Sequence, residues 1–439
     1  MGANRRRPAA YALIMLLAGF AVAQSTGRTV RHHRVATEDV SSPPELSQAE
    51  GAIEKRDYSA AEALLEKVVA EHPDNYTAWF DLGFVSNALG KTEESIAAYR
   101  KSVAAKPDVF ESNLNLGLML AKAGQPDAAQ YLRAATRLKP TAKEDEGRAR
   151  AWLSLGHVIE NTNPGEAVSA YREAAKLQPN DPEPHLAAGL VLEKQNQFAD
   201  AQQEFQQALT IDPQSADALT GLASIYMRGR QFSQAEQVLR KLVTLRPEDA
   251  GAHMQLGRML AADNQNDAAI AELETAVKLA PSDNAAKRDL AYVYADSGKF
   301  QLAEAQYRSL LTAAPRDADL HHALGKAFLK QRKFGEAQQE LLAAVALKPD
   351  LGPAWGDLAT AANENKSYEL TIKALDERAK YLPEIPVSYF LRATAWDHLR
   401  DYKRAAENYH RFLDVANGQF PDQEWQARHR LIAIEPKKK

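Results

Sequence analysis

The sequence predicts an all-α solenoid, about 11 stacked helix-turn-helix repeats followed by a capping helix. Three observations predict it. A proline closes a similar phrase at Pro73, Pro107, Pro140, Pro179, Pro213, Pro247, Pro281, Pro315, Pro349 and Pro383, at steps of 34 residues except for 33 and then 39 around Pro140. The phrase itself recurs, as FQQALTIDP at Phe205–Pro213, LETAVKLAP at Leu273–Pro281 and LLAAVALKP at Leu341–Pro349. Within a copy, apolar and small residues return at the spacing of one helical face, as in Trp79, Leu82, Gly83 and Ser86, or Leu256, Gly257 and Leu260.

The elements follow in chain order. Residues 1–23 read as a signal peptide. Arg5, Arg6 and Arg7 precede the apolar run Ala9–Ala23, which ends in the small-x-small site Ala21-Val22-Ala23 before Gln24. Fifteen helical residues span roughly 22 Å, short of the roughly 30 Å hydrocarbon core, which favours cleavage over anchoring. Pro8 stands where a twin-arginine signal would have an apolar residue. The expected address is periplasmic or secreted, with an inner-membrane anchor through residues 9–23 as the alternative. Residues 24–44 are polar and end in Pro43-Pro44, a linker. Its His32-His33 pair has no third ligand at metal-binding spacing and reads as solvated.

The array occupies 45–434. Each copy reads as two short amphipathic helices. Gly83, Gly117, Gly189, Gly257 and Gly325 let the two approach closely. Gly90, Gly124, Asn196, Asn264 and Gly298 sit where the first helix needs a left-handed end. Asn75, Asp181, Ser215, Asp249, Asp283 and Asp317, two residues past the closing prolines, are expected N-caps of the next first helix. A hairpin of this kind cannot bury its face alone, so neighbours must stack into one continuous core.

The third and fourth copies are each one residue short in the inter-helix turn. Between them the charged insertion Thr141–Arg148, TAKEDEGR, is expected to be an exposed loop. The final copy, Pro386–Asn417, lacks the closing proline. Beyond it Asp422–Glu435 is expected to be a polar-faced capping helix, with Trp425, His429, Leu431 and Ile432 near one face, followed by the basic tail 435–439.

The period of 34, the openings Trp79-Phe-Asp-Leu82-Gly83 and Trp152-Leu-Ser-Leu155-Gly156, and the second-helix pairs Ala201/Phe205, Ala303/Tyr307 and Ala405/Tyr409 together resemble the tetratricopeptide repeat (TPR) family. The resemblance covers nearly everything after residue 44. It implies a right-handed α-solenoid whose first helices line a concave groove, and it implies protein or peptide partners.

Chemistry is otherwise sparse. The chain has 439 residues and no cysteine, which excludes disulfides, thiolate metal sites, cysteine nucleophiles and a lipid-bearing cysteine. A net charge of −4 supplies no field to recruit nucleic acid. No catalytic motif, cofactor loop or metal-ligand spacing is present, so no catalytic residue, metal or cofactor is predicted. His185, His253 and His321 stand 68 residues apart in the slot that Trp79, Trp152 and Trp355 fill elsewhere, and are expected to pack rather than bind metal. The residues left outside the repeats are too few for a catalytic domain.

Carried onto this chain, the family's groove positions predict an apolar half with Phe80, Phe84, Leu114, Leu118, Leu153, Leu186 and Leu190. A modestly basic half follows, with Arg228, Met254, Arg258, Arg288, Tyr292, His322, Lys326 and Lys330, diluted by Asp289, Asp296 and Asp319. The competing expectation is that the leucines and phenylalanines only pack against neighbouring first helices. The family's two-carboxylate clamp for a partner's terminal acid is not matched, since Leu46, Glu50, Glu111 and Asn115 stand at the corresponding places. The predicted function is a non-catalytic interaction scaffold of the cell envelope or exterior. The alternative is a membrane-anchored assembly factor for an envelope polysaccharide or outer-membrane secretion complex.

Overall fold

The computed structural model describes residues 43–435. The predicted signal peptide, most of the linker and Lys437–Lys439 lie outside the described residues. Those residues form 23 α-helices and no strand. The chain divides into two compact units at Ile225/Tyr226.

The first unit carries α1 (Pro44–Glu54), α2 (Tyr58–Glu71), α3 (Tyr76–Ala88), α4 (Thr92–Ala105), α5 (Phe110–Lys122), α6 (Ala128–Arg137), α7 (Glu144–Ile159), α8 (Pro164–Leu177), α9 (Glu183–Lys194) and α10 (Phe198–Ile211). The division falls inside α11 (Ala216–Arg228). The second unit carries α12 (Phe232–Leu245), α13 (Ala250–Ala262), α14 (Asn266–Leu279), α15 (Asn284–Asp296), α16 (Phe300–Ala313), α17 (Ala318–Lys330) and α18 (Phe334–Leu347). It continues through α19 (Gly352–Glu364), α20 (Tyr368–Ala379), α21 (Pro386–His398), α22 (Tyr402–Ala416) and α23 (Pro421–Ile434). Odd helices are the first helices of hairpins and even ones the second. Within each unit helices pack against the next in sequence, and some successive first helices touch, as α5 does α7 and α17 does α19. Each unit is therefore an α-solenoid.

Most of the expected punctuation is in place, although Pro182 rather than Asp181 is the N-cap of α9. Asn75, Asp249, Asp283 and Asp317 accept hydrogen bonds from the backbone N–H groups of Ala78, Ala252, Ala286 and Leu320, which the first turn would otherwise leave unpaired. Gly90, Gly124, Asn196, Asn264 and Gly298 all take a left-handed backbone, with φ between 60° and 79°. In five other copies that slot holds a long basic residue: Arg56, Arg230, Arg332, Lys366 and Arg400, with φ from 54° to 64°. The left-handed region costs an L-residue about 1 kcal/mol or more, and a cation at a helix C-terminus recovers part of that through the helix dipole.

The helices of a hairpin meet at a glycine seam. The Phe205 ring lies between Gly189 and Gly221, so a Cβ at Gly221 would fall 2.4 Å from its Cζ. The second helices are laced to the next repeat by ion pairs. In the first unit these are Arg100–Asp127 at 2.6 Å, Arg133–Glu166 at 2.7 Å and Arg172–Glu204 at 2.7 Å. In the second unit they are Lys299–Asp267 and Lys333–Glu304, both at 3.0 Å.

Two expectations change. The insertion is not a loop throughout, because Glu144–Arg148 form the first turn and more of α7. Glu144, Asp145 and Glu146 there complement the positive end of the helix dipole, which makes a helix start out of what composition reads as a solvated loop. Thr141 anchors the remainder, donating from its N–H and its hydroxyl to Glu111 Oε1 at 2.8 and 2.7 Å. The capping helix α23 keeps a mostly polar outer side but does not gather Trp425, His429, Leu431 and Ile432 on one face. It buries Ala427 and Leu431 against the Phe412 and Ala416 face of α22, an i, i+4 pair that turns Trp425 and Ile432 outward, 61% and 78% exposed.

Candidate partner-binding wall

The predicted groove residues lie one or five places past the Trp79 slot of their repeat, except Arg228 and Lys330, which lie nine places past it. The two units treat these places differently. In the first unit Phe80, Leu114, Leu118 and Leu153 are core, each no more than 5% exposed. Phe80 meets Tyr99 edge to face, with ring centroids 5.7 Å apart. These four side chains are enclosed in the core of the first unit. Phe84 and Leu190 are half-buried, and Phe84 packs edge-on to Tyr58 at 6.2 Å.

In the second unit the wall is open. Arg258, Arg288, Tyr292 and Lys326 are exposed, and Met254 and His322 are half-buried. The cations are not a bare basic strip, however. Arg258 pairs with Asp289, Arg288 Nη2 lies 3.0 Å from Asp317 Oδ2, and His322 Nε2 lies 2.8 Å from Asp357 Oδ2. These pairs step from α13 to α15, from α15 to the cap of α17, and from α17 to α19. Burial pushes the Asp289 carboxyl up even with the Arg258 guanidinium beside it. Burial works the same way on Asp317, but Arg288 and the backbone N–H groups of Leu320 and Asp319 hold its carboxyl below the usual range. Sequence reasoning saw Asp289 only as dilution and Asp317 only as a helix cap. The legible signal was that each stands about one repeat further on than its cation, which makes it a cross-helix partner. Tyr292 and Lys326 carry the exposed aromatic and ammonium of this wall.

The histidine slot is structural. His253 Nδ1 lies 2.6 Å from Glu272 Oε2, and His321 Nδ1 lies 2.6 Å from Glu340 Oε2. His185 Nδ1 lies 2.7 Å from Glu204 Oε2, which also takes Arg172. Each histidine is thus tied to the second helix of its own hairpin. An open cleft of about 860 Å³ beside α8 and α10 is lined by Arg172, Lys176, His185 and Glu204, whose charges answer one another. Further along the first unit, Tyr171 donates to Glu160 Oε2 at 2.8 Å and lies 3.0 Å from His157 Nδ1. His157 Nε2 stands 3.6 Å from Glu183, a charge contact longer than a hydrogen bond.

Antiparallel hairpins with a glycine seam, capped first helices and proline-closed second helices define a TPR solenoid. The chain belongs to the family described as the Cilia and flagella-associated protein 70 C-terminal domain, a TPR family whose profile matches residues 32–290. The FAT domain profile also matches residues 188–406. Tetratricopeptide repeat protein 7A of Homo sapiens is 27% identical over 139 residues, 31% of this chain and 16% of that protein. Tetratricopeptide repeat protein 37 of Xenopus laevis is 32% identical over 87 residues, 20% of this chain and 6% of that protein. The chain therefore spans a small part of either relative. YrrB, a TPR protein with an unusual peptide-binding site, is similar at a TM-score of 0.40 and 22% identity, over 43% of this chain and 96% of that one.

Proposed function

We propose that the chain is a non-catalytic protein–protein interaction scaffold, exported to the periplasm or cell exterior, that holds protein or peptide segments on the concave wall of its second unit. Membership of a TPR family supports the scaffold reading. The observation that carries the choice of surface is the exposure of Arg258, Tyr292 and Lys326 at one register position on α13, α15 and α17. Successive first helices at packing distance put such side chains about 10 Å apart. An aromatic flanked by cations grips an apolar residue next to an acidic one. The Arg258–Asp289 and Arg288–Asp317 pairs fix the wall, on which Tyr292 and Lys326 are exposed.

The absence of a catalytic motif supports the non-enzymatic reading. The basic start, apolar run and small-x-small site of residues 1–23 support export. Among the described residues no helix is long and apolar enough to cross a membrane.

The test is a photo-crosslinking capture from the native envelope fraction, wild type beside Tyr292→Ala/Lys326→Glu. Partners captured by wild type and lost in the variant are expected. Identical capture by both would remove the second-unit wall from consideration. N-terminal sequencing of the mature protein addresses the location. A start at Gln24 is expected, whereas an intact Met1–Ala23 segment would favour the membrane-anchored assembly factor.

A further inference from the structure

The helix ends differ in how tightly they are closed. Three asparagines end a helix in the left-handed region, Asn196, Asn264 and Asn417, with φ of 60°, 63° and 48°. Behind the first two the chain is tied down. The Gln197 N–H donates to the Leu192 carbonyl at 2.9 Å, and the Gln265 N–H to the Leu260 carbonyl at 2.8 Å. These are the long bonds that close a helix ending in this way. Asn417 is followed instead by Gly418, the one Asn-Gly step in the chain. Both residues are exposed, and among the described residues neither backbone N–H makes a hydrogen bond. The turn from α22 to α23 is spanned by the Gln419 N–H, which donates to the Ala416 carbonyl at 3.0 Å.

We propose that Asn417 is a site of spontaneous covalent modification that loosens the capping helix. The Gly418 nitrogen attacks the Asn417 side-chain carbonyl carbon. A C–N bond forms there as the bond from that carbon to the amide nitrogen breaks. Ammonia leaves, taking up the proton that the Gly418 nitrogen gives up, and a five-membered succinimide remains. Water then opens the ring at one carbonyl or the other, giving isoaspartate or aspartate. Asparagine is a thermolabile residue, and a fold protects it by holding the next nitrogen elsewhere. Here Asn417 ψ, at 37°, must rotate to bring that nitrogen to the carbon. Gly418 has no Cβ to obstruct the rotation, and neither N–H has a hydrogen bond to break. At Asn196 and Asn264 the same rotation breaks the bond to Leu192 or Leu260. Either product puts a carboxylate at the C-terminal end of α22, the negative end of its dipole. Isoaspartate also carries the chain through its side chain, adding one carbon to the turn. The change falls where α23 is seated, with Ala427 and Leu431 on the Phe412 and Ala416 face and the Phe412 and Phe420 rings 6.1 Å apart. This inference stands independently of what the second unit binds.

The test ages the full chain in mildly alkaline buffer at physiological temperature and maps its peptides by mass spectrometry. Asn417→Gly is aged beside it, a variant that suits the left-handed position and has no amide to lose. Asn417 should lose its amide about tenfold faster than Asn196 or Asn264, the factor that one hydrogen bond to be broken supplies. Brief trypsin treatment then reads the capping helix through cleavage after Arg428 and Arg430. Cleavage should be faster in aged than in fresh wild type, and unchanged by ageing in Asn417→Gly. An Asn417 amide that survives, or equal loss at all three asparagines, would overturn the site. Unchanged cleavage in chains shown to be modified would overturn the loosening of α23, as would equal acceleration in Asn417→Gly.

Discussion

His253 and Trp355 reach the same acceptor by different chemistry. The Trp355 indole N–H donates to the Pro349 carbonyl at 2.8 Å, and His253 Nε2 lies 3.0 Å from the Pro247 carbonyl. Both are residues six places past a closing proline. The ring at this slot ties the start of a first helix back to the proline that ended the previous repeat. His253→Trp should therefore fold and keep its stability within about 1 kcal/mol, whereas His253→Ala should lose about 1–3 kcal/mol, because it leaves a carbonyl and the Glu272 carboxylate short of a partner. Urea midpoints of the two variants check this. Equal loss in both would mean the slot is filled by shape alone.

The Phe205 ring leaves no room for a methyl group on either side. Gly221→Ala should destabilise by about 1–3 kcal/mol through overpacking. Gly165→Ala, where an added Cβ meets nothing within 4 Å, should be tolerated. Thermal unfolding of both variants makes the comparison.

Lys366 holds a left-handed backbone, φ 59°, with its side chain in solvent. Lys366→Gly should stabilise by about 0.5–1 kcal/mol, the relief of backbone strain outweighing a lost cation at the helix end. A fall in the urea midpoint would show that the charge matters more than the backbone.

His157 gives the first unit a pH dependence. Burial opposes a charge on its ring, yet attraction from the nearby Glu160 and Glu183 carboxylates carries its pKa above the usual 6.5. A raised pKa stabilises fully below the unfolded value and is lost as pH rises through the folded one. Wild type should therefore lose stability between about pH 6 and pH 8 more steeply than His157→Gln. Parallel profiles of urea midpoint against pH would count against the ion pair.

Deleting residues 250–283 removes one hairpin of the second unit and rejoins Asp249 to Asn284. Contacts run between sequence neighbours, so the product should remain folded and strongly helical, with a lower midpoint. Loss of the cooperative transition by circular dichroism would show that the repeats are not modular.

The repeating frame was legible because its signals are local. Asn75, Asp249 and Asp317 cap from within three residues, and Gly90 or Asn264 terminates a helix by its own backbone preference. What could not be read locally was which groove residues face solvent. Phe80 and Tyr292 stand at related register places, yet one is core and the other 43% exposed, because exposure depends on what lies across the wall. Arg56 and Lys366 escaped notice as helix ends because strain there is offset by charge rather than relieved by composition. The cations Arg258 and Arg288 were legible, while their partners Asp289 and Asp317 required knowing that one repeat of sequence is one step in space.

The histidine–glutamate tie occurs in three alternate hairpins between α9 and α18, as His185–Glu204, His253–Glu272 and His321–Glu340. Leu219 and Lys287 hold the slot between them. That alternation points to a gene that grew by duplicating pairs of hairpins rather than single ones. Its heritable module is 68 residues long, the spacing from His185 to His253 and again to His321. Descendants of such a gene should differ in length by two hairpins more often than by one, and carry the histidine in phase across the difference.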